Sequence, residues 1–405
     1  MGFFDMFVAV QLGFIDAAAI IFFIFFAYGY VYTVVKSGTL HGIIRMLMKK
    51  MKGKELLIIP IFMIFFGICG STFGMFEETY GLIPVFVGIA IAMGYDAIVG
   101  MAMVGLGVAT GFASATINPF TIGVAQGIAE LPLFSGIVFR TIVFVAFMSL
   151  AIWWTMRYAA KVKKDPSRSL VKDIDFGALS IHRDDLEKAP FTNRHKVILA
   201  GFIATIIMIL IGALRLGWYI DEIAALFIIM MIITGFVAGY GPSKIATVFV
   251  EACAGIILGA LVVGVARTIL IVMIQGQIID TVINGLSAPL SLLPSGANAA
   301  GMLGVQNILN FFIPSGSGQA ATVMPIMTPL SDLIGVNRQI AVLAFQFGDG
   351  YSNMLWPTTG VVVMCAIGKI PLDRWWRFFV PLFGIMLVLQ LICIFIAVAI
   401  GLGPF

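Results

Sequence analysis

Predominantly apolar runs of about twenty residues or more recur along this chain and constrain its fold more than any other feature. A helix needs about 20 such residues to cross a hydrocarbon layer, and eight runs qualify: about 8–35, 97–130, 134–157, 197–217, 221–240, 246–275, 339–368 and 376–402. Two further stretches, about 55–93 and 299–335, are interrupted midway by Gly, Ser and Pro and read as re-entrant hairpins. Composition agrees: 61% of the 405 residues are hydrophobic and 11% charged, whereas a soluble domain carries roughly 25% charged residues. The chain reads as an all-α polytopic protein of the lipid bilayer.

Charge orients it. Twenty of the 24 Lys and Arg residues fall in the 36–54 and 157–196 loops, at Lys244, and at Lys369, Arg374 and Arg377. Span counting brings all four places to one face, which the positive-inside rule makes cytoplasmic. Both termini then lie outside, the first hairpin opens from the cytoplasm and the second from the exterior. Because the bases sit in loops rather than on one polar face, the net charge of +4 gives no nucleic-acid partner.

Enzyme and cofactor readings find little support. Cys69, Cys253, Cys365 and Cys393 lie inside apolar runs without metal-ligand spacing. His41, His182 and His195 fall in loops, leaving the membrane interior without a histidine base. Asp5 and Asp16 stand where a signal peptide would be positive.

Opposite-facing hairpins suggest an inverted repeat. Pro84 and Gly94 correspond to Pro325 and Gly335 at an offset of 241, and Gly38 to Gly276 at 238. At the same 238, Ser114-Ala-Thr-Ile-Asn-Pro119-Phe-Thr121 matches Ser352-Asn-Met-Leu-Trp-Pro357-Thr-Thr359. The division this implies is a first repeat at 1–157, a cytoplasmic linker at 158–196 and a second repeat at 197–405, each repeat holding one hairpin and one broken helix. Spans 197–217 and 221–240 have no counterpart in the first half, which reads as lacking its initial scaffold helices.

Proline inside a helix removes a backbone hydrogen bond, and in lipid the freed groups survive only against protein, a cavity or a ligand. Pro119 and Pro357 therefore mark two helix breaks. Ser114, Thr116, Asn118 and Thr121 flank one; Asp349, Ser352, Asn353, Thr358 and Thr359 flank the other. The hairpin tips supply Ser71, Thr72, Gly74, Glu77 and Glu78, and Ser315, Gly316, Ser317, Gly318 and Gln319. Glycine admits a ligand close to the backbone, and helix N-termini favour carboxylates. Unwound carbonyls and hydroxyls near Ser71, Asn118, Ser317 and Asn353 suit Na⁺. The competing readings are a proline kink closed by hydroxyls and a tight packed turn. Among charges at membrane depth, Asp349 lies next to a break, and one of Glu77 and Glu78 should face the site while the other meets a structural partner. Glu251 and Arg267, ~24 Å apart at about 1.5 Å per helical residue, read as structural. Asp96 and Asp332 read as helix caps.

The segments GSTFGMFEET, GYDAIVG, SATINPFTIGVAQGIA and LPLFSGIVFR resemble the YfcC family of basic amino-acid antiporters, as do NFFIPSGSGQAATVMPIMTPLSDLIG and FGDGYSNMLWPTTG. That family is related to the anaerobic four-carbon dicarboxylate carriers of the ion transporter superfamily. The resemblance implies a homodimer in the bacterial inner membrane, with hairpins and broken helices moving as an elevator against scaffold helices. Family members carry further scaffold helices ahead of the first span here. The expected function is exchange of arginine- or ornithine-type amino acids, with no cofactor beyond a coupling ion, Na⁺ or H⁺. The alternatives are a Na⁺- or H⁺-coupled C4-dicarboxylate carrier and a truncated, non-transporting scaffold.

Overall fold

The computed structural model describes residues 2–39, 54–177, 192–216, 218, 220–293, 297–358 and 360–403. His41, His182, the bases at 45–52 and Thr359 lie outside the described residues. Those described are helical, with no β-strand among them.

The first run is two helices, α1 (Phe3–Asp16) and α2 (Ala18–Lys36), rather than one span. The chain turns at Ala17, whose N–H still reaches Gly13 O. The first hairpin has arms α3 (Ile58–Phe73) and α4 (Ile83–Ala92), joined through Gly74 and a 3₁₀ turn at Glu77–Leu82. By length and composition its first arm is long enough to cross a membrane, which the hairpin reading did not anticipate. The first broken helix comprises α5 (Ala97–Ala113), an irregular stretch, a π turn at Pro119–Gly123 and α6 (Val124–Ile128). Then come α7 (Ile137–Lys164), α8 (Asn193–Ile211), α9 (Ile220–Val237) and α10 (Pro242–Gln275). A short helix, α11 (Ile279–Ser287), was not foreseen. The second hairpin is α12 (Ala297–Phe312) and α13 (Gly316–Leu333), and the second broken helix is α14 (Arg338–Ser352) and α15 (Gly360–Ile367). The chain closes with α16 (Leu372–Ala399).

Small residues set the close crossings, as expected where lipid gives apolar side chains no reason to prefer one another. A Cβ at Gly111 of α5 would lie 1.9 Å from Gly67 O of α3, and one at Gly348 of α14 would lie 2.4 Å from Gln306 Cβ of α12. The broken helices also meet directly. A Cβ at Gly350 would lie 2.2 Å from Ala113 Cα, the Thr110 and Tyr351 hydroxyls are 3.0 Å apart, and Gln346 Nε2 donates to Phe112 O at 2.5 Å. Around this centre α1, α2 and α15 pack on α10, and α2 also packs on α9.

Two of the matched glycines share a geometry: Gly94 and Gly335 take φ of +82° and +69° just beyond α4 and α13. The other matches diverge. Gly38 is left-handed at +80° while Gly276 is right-handed and Gln277 takes the positive φ. Pro84 starts α4, but Pro325 lies inside α13.

Asp96 caps α5 by accepting from Val99 N at 3.1 Å, and also accepts from Tyr158 at 2.6 Å and Ser169 at 2.7 Å. Its bond to Ser169, the bond from Arg374 to Leu170 O, and burial of Val171 and Phe176 tie the described start of the linker to the helices. Asp332 is not a cap. It sits in the last turn of α13, where the helix dipole disfavours an acid, and pairs with Arg338 at the start of α14 at 2.7 Å. Glu251 pairs with Lys36 at 3.2 Å.

Candidate functional site

Each helix break begins with the same local device. Ser114 Oγ donates to Thr110 O at 2.6 Å and Ser352 Oγ to Gly348 O at 2.5 Å, so a hydroxyl satisfies the carbonyl four residues back. Asn118 then restarts the first helix: its Oδ1 accepts from Phe120 N at 2.9 Å and Thr121 N at 3.3 Å. Proline fits the position after such a cap because its missing N–H would have had no helical partner there. On the second side Thr358 donates to Phe311 O at 2.8 Å and Trp356 Nε1 to Asn307 O at 2.7 Å, fastening the break to α12.

The first tip closes onto the first break. Ser71 and Thr116 hydroxyls are 3.1 Å apart, Thr116 N donates to Ser71 O at 2.9 Å, and Thr72 bonds back to Ile68 O. Gly74 ends α3 at φ +70°, where a Cβ would lie 2.5 Å from Asn118 Oδ1, so only glycine fits without displacement. The second tip crosses between the breaks. A Cβ at Gly316 would lie 2.7 Å from Thr121 Cγ2 and 3.1 Å from Asp349 Oδ2. Ser315 caps α13 through Gly318 N at 3.3 Å, and Ser317 is half-buried one residue beyond Gly316.

Asp349 is fully buried. Its Oδ1 accepts from Asn310 Nδ2 at 2.8 Å, while Asn310 Nδ2 and Gln306 Oε1 hold Gln319 from either side. Among the described residues, the buried polar atoms here without a partner include Asp349 Oδ2, Asn310 Oδ1, Thr121 Oγ1 and Asn118 Nδ2. A buried polar group without a partner costs roughly 1–3 kcal/mol, a cost that a bound ligand or water would relieve. The Ser71 and Asn118 oxygens, expected from the sequence to suit Na⁺, take part in closing the tip and capping the helix. Asn353 lies at the second break, where its carbonyl accepts from Val361 N at 3.3 Å.

The two acids after the first tip divide. Glu78 turns inward, its carboxylate accepting from Phe76 N at 2.9 Å. Glu77 lines a cavity of about 140 Å³ together with Tyr80, Ser315, Thr358, Asp16 and Arg267. The last two form an ion pair from Arg267 Nε to Asp16 Oδ2. Sequence reasoning assigned Arg267 a structural role and used Asp16 only against a signal peptide; 251 positions separate the two. It also passed over Arg140, which is buried beside Gln339, 3.1 Å from Oε1.

Buried polar groups thus gather where two interrupted helices and two glycine-bearing turns meet, within an all-helical, multi-pass membrane protein. Residues 2–399 match the family described as DcuC: C4-dicarboxylate anaerobic carrier. The Escherichia coli (strain K12) protein named "Putative basic amino acid antiporter YfcC" is 33% identical over 397 residues, covering 95% of this chain and 78% of the relative. An uncharacterized Haemophilus influenzae protein is 32% identical over 391 residues, covering 96% and 77%. The solved Alcanivorax borkumensis YdaH transporter aligns at a TM-score of 0.49 and 14% identity, over 100% of this chain and 90% of that one. The chain belongs to the DcuC family, and is a membrane transporter and not an enzyme.

Proposed function

We propose that this protein is a secondary transporter that exchanges basic amino acids of the arginine and ornithine type. The observation that carries the reading is the shared cavity, in which Glu77 of the first tip faces Ser315 of the second and Thr358 of the second break. A carboxylate there suits a guanidinium or ammonium group. Asp349 Oδ2, unpartnered beside Gly316, offers a second acceptor for the substrate cation or a coupling ion. The name borne by the Escherichia coli relative supports the same substrate class.

In this reading Ser71, Thr72, Gly74, Glu77, Glu78, Ser114, Thr116, Asn118 and Thr121 form one half of the site. Ser315 to Gln319, Asp349, Ser352, Asn353, Thr358 and Thr359 form the other. The two halves are inverted repeats on either side of the 158–196 linker. The protein works as a homodimer in the inner membrane, basic loops in the cytoplasm, and the hairpins and broken helices move as an elevator.

A second reading, a Na⁺- or H⁺-coupled C4-dicarboxylate carrier, is favoured by the description of the family and by the presence of Arg267 in the cavity. Counterflow in proteoliposomes separates the two. Labelled arginine exchanging for ornithine but not for succinate supports the first; succinate uptake driven by a Na⁺ gradient, without arginine exchange, overturns it.

A further inference from the structure

Arg267 and Asp16 meet in the wall of the cavity that Glu77 lines, and their side chains remain 31% and 41% exposed. The pair therefore opens onto the cavity and is not sealed between helices. Only Nε of Arg267 is engaged by Asp16. The two terminal nitrogens, which form the planar fork that binds carboxylates in pairs of parallel hydrogen bonds, hold no protein acceptor among the described residues.

A purely mechanical role is poorly served here. Open ion pairs add little to stability, and α1 is already locked onto α10 by backbone packing. A Cβ at Gly13 would lie 2.6 Å from Thr268 Oγ1 and 2.8 Å from Gly264 O. An arginine at membrane depth is costly and needs compensation, which Asp16 supplies at one edge while the other edge stays available.

We propose that Arg267 binds a carboxylate of the transported substrate through its terminal nitrogens. Asp16 is its resident counter-ion: it balances the guanidinium when the cavity is empty and meets the substrate's α-ammonium when it is filled. With Glu77 lining the same cavity, the set of charges matches a zwitterion carrying a cationic tail. The assignment rests on the proposed transport of basic amino acids and adds to it the group that recognises the acid end.

Agmatine, which is arginine without its carboxylate, is the direct probe. Equilibrium binding of labelled arginine to the purified full-length chain is competed with unlabelled arginine, agmatine and succinate. For the wild type we expect agmatine to compete about tenfold more weakly than arginine or worse, as befits loss of one charge-assisted contact. Arg267→Gln should bring arginine down to the level of agmatine and leave agmatine unchanged. Arg267→Lys, which keeps the charge and loses the fork, should fall between. Asp16→Arg combined with Arg267→Asp keeps a bridge; it should preserve the melting temperature without restoring the preference for arginine.

Arginine bound as tightly by Arg267→Gln or by the swapped pair as by the wild type, with the same preference over agmatine, overturns this assignment and leaves the transport reading standing. Wild-type binding of succinate but not arginine overturns the amino-acid reading; loss of that succinate binding in Arg267→Gln then still supports Arg267 as the carboxylate ligand. No binding of any of the three overturns both.

Discussion

Asn310 Nδ2 donates to Asp349 Oδ1 at 2.8 Å while Asp349 Oδ2, against Gly316 at the second tip, has no hydrogen-bond partner among the described residues. One oxygen fixes the carboxylate and the other waits. Asp349→Asn keeps the shape and an acceptor for Asn310 but removes the charge. Because a buried unpaired charge costs several kcal/mol, the variant should melt at the same temperature as the wild type or higher, while counterflow drops to background. Full transport by Asp349→Asn would remove Asp349 from the site.

Gly316→Ala should damage the site where Gly304→Ala does not. The added methyl at 316 meets Thr121, Asp349 and Phe112 within 3.1 Å, an overpacking of about 1–3 kcal/mol. At 304, within α12, nothing lies within 4 Å, and alanine should stabilise the helix by roughly 0.5–1 kcal/mol. Thermal melts together with substrate affinity check both: affinity should fall only for the first.

Asp96 gathers a backbone amide, a tyrosine and a serine from α5, α7 and the linker. Asp96→Ala orphans all three donors, and at about 1–3 kcal/mol for each buried group so exposed it should lower the melting temperature by several degrees. Asp96→Asn, which keeps an acceptor, should fall short of that loss. Equal loss in the two variants would show that the side chain's hydrogen bonds are not what counts.

Arg338 holds the Asp332 carboxyl below the usual carboxylate range through its hydrogen bonds. A lowered folded-state value means that the pair's contribution is present above the unfolded value of about 3.9 and fades as pH falls through the folded one. The difference in melting temperature between wild type and Asp332→Asn should therefore be present at pH 7 and shrink below about pH 4. It should also shrink in high salt, because the pair is half-exposed. A difference that grows on acidification would reverse the assignment.

Local chemistry made the breaks and tips readable in the sequence. Pro119 and Pro357 cannot donate to a helix, Gly74 supplies a left-handed step, and Asn118 and Ser315 cap the helical turns that begin just after them; each acts within a few residues of itself. Glu77 and Glu78 stand out in the sequence as acids following the first tip, and in the structure Glu78 accepts from Phe76 N while Glu77 lines the cavity. The Asp16–Arg267 pair was not readable. It depends on how α1 lies along α10, which Gly13, Gly264 and Thr268 determine across more than 250 positions. The first run read as one span because Ala17 carries no turn signature; it is buried where the two helices meet. Offset matching paired Gly94 with Gly335, which share a left-handed φ, and Pro84 with Pro325, which serve different local geometries.

The crossing of α5 and α14 has a mechanical consequence. With Gly350 seated on the Ala113 backbone and Thr110 bonded to Tyr351, no hinge can run between the two interrupted helices without opening a void and parting buried hydroxyls. Both breaks must travel together or stay together. Any rearrangement that exposes the cavity first to one side and then to the other must therefore slip along a different seam, and one that already carries empty space is bordered by Asp16 and Arg267.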